Sequence, residues 1–110
     1  MTTKLETQKC QPSKQGEPPL KGDALKEFLD QLGEGWKIVD GKQLEKDYAF
    51  KNFRDALAFT NRVGELAEQE NHHPDIFLAW GKVKLNLWTH SVGGLSPNDF
   101  ILAAKADAVR

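Results

Sequence analysis

With a single cysteine, Cys10, the chain cannot close a disulfide within itself. That excludes the stapled scaffolds of small secreted proteins and fits a reducing compartment. Long apolar runs are missing too. None approaches the roughly 18 residues of a membrane span, and Met1–Lys9 lacks the apolar segment of a secretory signal. Neither sign of charge is in excess: 15 basic residues face 16 acidic ones, a net charge of −1. A direct nucleic-acid binder would normally carry a basic patch, so no nucleic acid is expected as a partner. The expectation is a cytoplasmic protein that avoids both nucleic acid and membrane. At 110 residues it forms one domain. Its small core would benefit from oligomerisation.

What is present is organised by periodicity. Residues 1–19 carry little apolar surface beyond Leu5 and end in Gly16-Glu17-Pro18-Pro19. Such a segment is expected to be a flexible, dispensable tail, with the domain proper spanning residues 20–110. Leu25, Phe28, Leu29 and Leu32 recur at helical spacing, with Gly33 and Gly35 as the expected stop. Trp36–Val39 and Gln43–Phe50 flank Asp40-Gly41, a hairpin signal. Asn52 suits an N-cap for a stripe running from Phe53 to Ala67, which Pro74 should stop. Gly64 weakens that helix and suggests a close packing partner. Ile76–Trp80 and Val83–Thr89 form a second hairpin, with Val83, Leu85 and Leu87 on a buried face. Ser96-Pro97-Asn98-Asp99 opens a last helix whose Phe100, Ala103, Ala104 and Ala108 should face the core. The order α-β-β-α-β-β-α predicts an α+β fold, a four-stranded antiparallel sheet with three helices packed on one face.

All three histidines fall within one stretch, Glu68 to Asp99. Imidazole exchanges protons most readily near physiological pH, so three of them near carboxylates and tryptophan suggest proton transfer on a flat organic substrate. Glu68 and His72 are four apart on a helix and share a face, so the carboxylate would orient that ring and favour its charged form, making His72 the expected general acid. His73 must leave in another direction, and His90 lies at or just past a strand end. Blander readings stand beside these. His72-His73-Pro74 also suits a helix C-cap. A zinc site from the three histidines is chemically feasible, although adjacent histidines diverge and neither HExxH nor a cysteine pair is present. Asp99 alone reads as a capping-box acid, and Trp80 and Trp88 as core or interface residues.

The combined spacing Glu68-x3-His72-His73-Pro74-x5-Trp80-x9-His90-x8-Asp99 resembles the signature of pterin-4a-carbinolamine dehydratases. Trp88-Thr89-His90-Ser91-Val92-Gly93-Gly94-Leu95-Ser96 and Tyr48-Ala49-Phe50-Lys51-Asn52-Phe53 strengthen the likeness, which spans about residues 18 to 106. The resemblance implies the same α+β fold and dehydration of a 4a-hydroxytetrahydropterin to the quinonoid dihydropterin, with no metal and no cofactor. It implies His72 and His90 as the acid–base pair and His73 as chiefly binding substrate. Glu68 would support His72, with Pro74, Trp80, Thr89 and Asp99 as further substrate-binding or supporting residues. It also implies an aromatic amino acid hydroxylase as metabolic partner and a homodimer or homotetramer, for which Val83–Trp88 is the expected edge strand. Relatives also act as dimerisation partners of transcription factors, and a role in molybdopterin-related metabolism is a third reading. The chain departs from the family in two places. Only Cys10 remains of a cysteine pair, with Ser13 near the second position, and Asn71 stands where a carboxylate often precedes the histidines.

Overall fold

The computed structural model describes residues 5–12 and 16–110. The rest of the expected tail, residues 1–4 and 13–15 with Ser13 among them, lies outside the described residues. The elements are α1 (Asp23–Asp30), β1 (Lys37–Val39), β2 (Gln43–Ala49), α2 (Phe53–Glu70), β3 (Asp75–Ala79), β4 (Lys82–Leu87) and α3 (Pro97–Ala108). Single 3₁₀ turns lie at Leu5–Thr7 and His90–Val92. The strands form one antiparallel sheet in the order β1-β2-β4-β3, the α+β architecture expected.

Alternation along β4 decides which face of the sheet is covered. Val83, Leu85 and Leu87 are buried and stand opposite Tyr48, Lys46 and Leu44 of β2, while Lys82, Lys84 and Asn86 point the other way. Being apolar on one face and paired on both sides, β4 is central. The edges are β1 and β3, so the expected edge strand is corrected from β4 to β3. At the first hairpin Asp40 and Gly41 both take positive φ, 54° and 69°, the turn geometry that suits the strands' twist.

Lys46 is the one charge on the covered face, and it is paired rather than exposed. Its Nζ lies 2.9 Å from Asp107 Oδ1, and the same carboxylate accepts from Trp36 Nε1 at 2.9 Å and Tyr48 Oη at 2.5 Å. Burial, and then the bond to Asp107, push the Tyr48 hydroxyl far above an ordinary phenol. This cluster ties the end of α3 to the sheet.

Helix α2 begins as its sequence suggests: Asn52 accepts the Asp55 amide at 2.8 Å, and Ala56, Phe59, Val63 and Ala67 form the buried stripe. It ends before Pro74 acts. Asn71 adopts the left-handed conformation (φ 52°), and the amides of Asn71 and His72 return to Glu68 O and Ala67 O. That is the Schellman closure, which satisfies the last carbonyls. Gly64 faces open space rather than a packing partner. Helix α1 likewise stops at Asp30, ahead of Gly33 and Gly35.

Helix α3 is buried along most of its length, which its alanines permit by letting neighbours approach closely. Phe100 stacks on Phe28 of α1 at 5.2 Å between ring centroids. Ala108, expected inside, is exposed: in the last turn Ala106 and Val109 face the core instead. The described part of the N-terminal segment packs on the domain. Leu5 is only 4% exposed within the main core, and Lys105 Nζ donates to Glu6 O at 3.0 Å. Burying one leucine contributes roughly 1.5–3 kcal/mol, which helps offset the ordering of so polar a segment.

Candidate active site

The left-handed residue Asn71 controls where the two histidines after it go. It reverses the chain direction at the end of α2, so His72 turns inward while His73 turns back along the helix surface. Asp99 Oδ1 lies 2.6 Å from His72 Nε2, whose side chain is 12% exposed. His73 Nε2 pairs with Glu68 instead, and both side chains are largely exposed. The partner expected for His72 is therefore corrected from Glu68 to Asp99. Helical spacing had placed Glu68 and His72 on one face, but His72 no longer belongs to the helix.

The other wall comes from the end of β4. Thr89 is buried and pairs in a short bridge with Gly94, Thr89 N donating to Gly94 O at 2.8 Å. Between them the 3₁₀ turn projects His90 outward, stacked on Trp88 with centroids 3.7 Å apart. A Cβ on Gly94 would lie 2.9 Å from Pro19 Cβ, so the tight approach of that segment needs glycine. Leu20 N then donates to Leu95 O at 2.8 Å.

Asp99 joins these parts. It is fully buried, and it forms the capping box of α3 with Ser96, whose N–H donates to Oδ2 at 3.0 Å. Thr89 Oγ1 donates to the same oxygen at 2.8 Å and lies 2.7 Å from Ser96 Oγ. Since the Thr89 proton is directed at Asp99, the Ser96 hydroxyl donates to Thr89. With Thr89, Ser96 and His72 converging on it, the carboxylate acts as acceptor only, which places the His72 ring proton on Nε2. Among the described residues nothing occupies Nδ1, leaving it open to a ligand. One oxygen of Asp99 thus caps the helix, and the other bonds the imidazole of His72.

His72, His73, Thr89 and His90 line a single cavity of about 600 Å³, a volume typical of small-molecule sites. Glu68 and Pro74 do not line it. Glu68 bonds to His73, and Pro74 leads into β3. Trp80 is not brought there at all: it is 68% exposed at the β3–β4 turn, the far end of that hairpin. Several lining residues gave no usable sequence signal, among them Cys10, Gln11, Glu70 and Asn98. Trp88 did carry one, two residues before His90 at a strand end, where both rings project the same way. The Cys10 thiol is pushed up to about 12 by burial, then by Glu70, so it stays protonated near neutral pH while it is covered. Among the described residues no cluster of three or more His, Cys, Asp or Glu is arranged to hold a metal ion. No helix among them is long and apolar enough to cross a membrane.

Residues 18–109 match the family model described as pterin 4 alpha carbinolamine dehydratase. The chain belongs to that family. A protein from Alkaliphilus metalliredigens that provisionally bears the dehydratase name is 50% identical over 103 residues, covering 94% of this chain and 93% of its own. One from Rubrobacter xylanophilus, similarly named, is 49% identical over 105 residues, covering 96% and 97%. The crystal structure of a transcriptional coactivator/pterin dehydratase from Brucella melitensis superposes with a TM-score of 0.78 at 34% identity, over 83% of this chain and 97% of that one. A pterin dehydratase-like RuBisCO assembly factor of the alpha-carboxysome shares the fold, with a TM-score of 0.60 at 23% identity over 69% and 89%.

Proposed function

We propose that this family member is a hydro-lyase that dehydrates a 4a-hydroxytetrahydropterin to the quinonoid dihydropterin, with histidines as acid and base. The observation that carries the reading is the 2.6 Å contact from buried Asp99 to His72, which lines one cavity with His73 and His90. With Asp99 in place of Glu68 as its partner, His72 takes the role of base rather than the acid expected: Asp99 holds the proton on Nε2, and the free Nδ1 accepts the proton from pterin N5. As that proton leaves, the N5 electrons form the bond to C4a, and the C4a–O bond breaks. His90, exposed and stacked on Trp88, delivers a proton to the departing hydroxyl, which leaves as water. Solvent then returns His72 and His90 to their starting states. His73, steadied by Glu68, binds substrate.

In this reading the enzyme works in the cytoplasm as a homodimer or homotetramer, recycling the reduced pterin released by an aromatic amino acid hydroxylase. The uncovered edge strand β3, with Phe77 exposed at 59% and Trp80 at 68% in the turn that follows it, supports self-association. The Brucella name supports a second reading, a coactivator or dimerisation partner that uses a surface away from the cavity.

The deciding experiment is a direct dehydratase assay on chelator-dialysed protein. Turnover should survive dialysis, and His72→Ala and His90→Ala should each lower it about a hundred-fold or more. No turnover by the folded wild-type protein would leave the coactivator reading. Loss on dialysis with recovery on adding zinc would replace the imidazoles with a metal.

A further inference from the structure

The family match begins at residue 18, yet Cys10, Gln11 and Pro12 line the same cavity as His72 and His90. Part of the wall around the site is therefore built by a segment outside the matched region. That segment is held at both ends. Leu5 is sunk into the core, and Lys105 Nζ holds Glu6 O. At the cavity, Cys10 N donates to Glu70 Oε1 at 2.8 Å. Asn98 grips Gln11 twice: Gln11 N donates to Asn98 Oδ1 at 2.9 Å, and Asn98 Nδ2 donates to Gln11 O at 2.6 Å. An amide that exchanges both bonds with one backbone residue copies a step of strand pairing.

The anchors sit at informative places. Glu70 is the last residue of α2, two before His72, and Asn98 directly precedes Asp99. The segment thus bridges the two helix ends that set the His72–Asp99 pair. We infer that residues 5–12 form a strap that completes the substrate cavity, with Leu5 and Asn98 as the positioning residues that hold it there.

The inference rests on the dehydratase reading. If it is right, loosening the strap weakens substrate binding more than it slows the chemical step, because His72, His90 and Asp99 stay in place. Leu5 provides the cleanest handle, since it is buried away from the cavity and touches none of the reacting groups.

The test compares full-length wild type with Leu5→Ala, Leu5→Met and Asn98→Ala, using kcat and KM together with Cys10 modification by a neutral thiol reagent. Cys10 is the only cysteine, so its modification reports strap opening without any reference to turnover. Leu5→Ala should label about ten-fold faster and raise KM several-fold, with kcat changed less than about two-fold. Leu5→Met should behave like wild type. Asn98→Ala severs the amide clamp at a residue that itself lines the cavity, so it is read by Cys10 labelling, which should again be about ten-fold faster. If Leu5→Ala does not fold, Lys105→Met takes its place in the kinetic comparison, because it removes the bond to Glu6 O from outside the cavity. Faster labelling with unchanged KM would overturn the inference, as would unchanged labelling in both alanine variants. If wild type shows no turnover, the dehydratase reading fails by itself. Protection of Cys10 by tetrahydrobiopterin then decides: protection sustains the strap as a cavity wall, and its absence overturns it.

Discussion

Replacing Asp99 with asparagine should separate its two duties. The side chain keeps its shape but offers one acceptor and one donor where the carboxylate offered two acceptors. Oδ2 takes the Ser96 amide and the Thr89 hydroxyl, and Oδ1 takes His72. The oxygen of the new amide should therefore stay on the side of Ser96 and Thr89, because turning it would set an NH₂ against both donors. Its NH₂ then faces His72 Nε2, which must give up its proton and become the acceptor. The ring proton moves to Nδ1, the nitrogen needed as base.

Two magnitudes follow. The bonds from Ser96 and Thr89 survive without their charge assistance, and the bond to His72 is reversed. Bonds to charged groups contribute roughly 1.5–3 kcal/mol against about 1 for neutral ones, so a loss of about 2 kcal/mol is expected. For a domain of this size that lowers Tm by about 10 °C. The fold should persist at 25 °C, but kcat should fall about a hundred- to a thousand-fold, the range of a lost acid–base group. Thermal melting gives the first quantity, the dehydratase assay the second, and the ¹⁵N shifts of the His72 ring give the tautomer. Near-normal kcat in a chain whose His72 proton has moved to Nδ1 would refute the base assignment. Near-normal kcat with the proton still on Nε2 would show that the amide does not set the tautomer.

Two other expectations concern stability. Tyr48 is the only tyrosine, and its hydroxyl is raised well above an ordinary phenol, first by burial and then by Asp107. The sign follows from linkage. The unfolded phenol titrates near 10 and the folded one higher, so the contribution is intact below pH about 10 and declines as pH rises past it. Absorbance near 295 nm should show phenolate forming only as the chain unfolds, and a reversible titration near pH 10 in the folded protein would contradict the buried cluster. Gly64→Ala should stabilise α2 by about 0.5–1 kcal/mol, seen as a higher urea midpoint, because the new methyl meets open space. A lower midpoint would mean that Gly64 is covered in solution, for instance by another copy of the chain.

The fold was legible wherever the signal was local. Alternation at Val83, Leu85 and Leu87, the Asn52 cap and the Ser96–Asp99 box each act within a few residues, and each appears in the structure. The site was legible less evenly. Its histidines share one stretch of chain, so their proximity could be anticipated, but the pairing of His72 depended on the φ of one residue, Asn71. A helical i, i+4 rule holds only while the backbone stays helical, and a left-handed residue between Glu68 and His72 cancels it. The strap was hidden for a different reason. A lone Leu5 in a polar segment looks too little to order it, and the Gln11–Asn98 clamp joins residues 87 apart, beyond the reach of any periodicity. Trp80 failed in the opposite direction: its sequence neighbours point to the site, but a hairpin carries its turn away from the strand ends where His72 and His90 lie. Spacing along this chain therefore located the turns that present the chemistry. Which carboxylate met which imidazole depended on how those turns close against α3, the buried helix that carries Asp99.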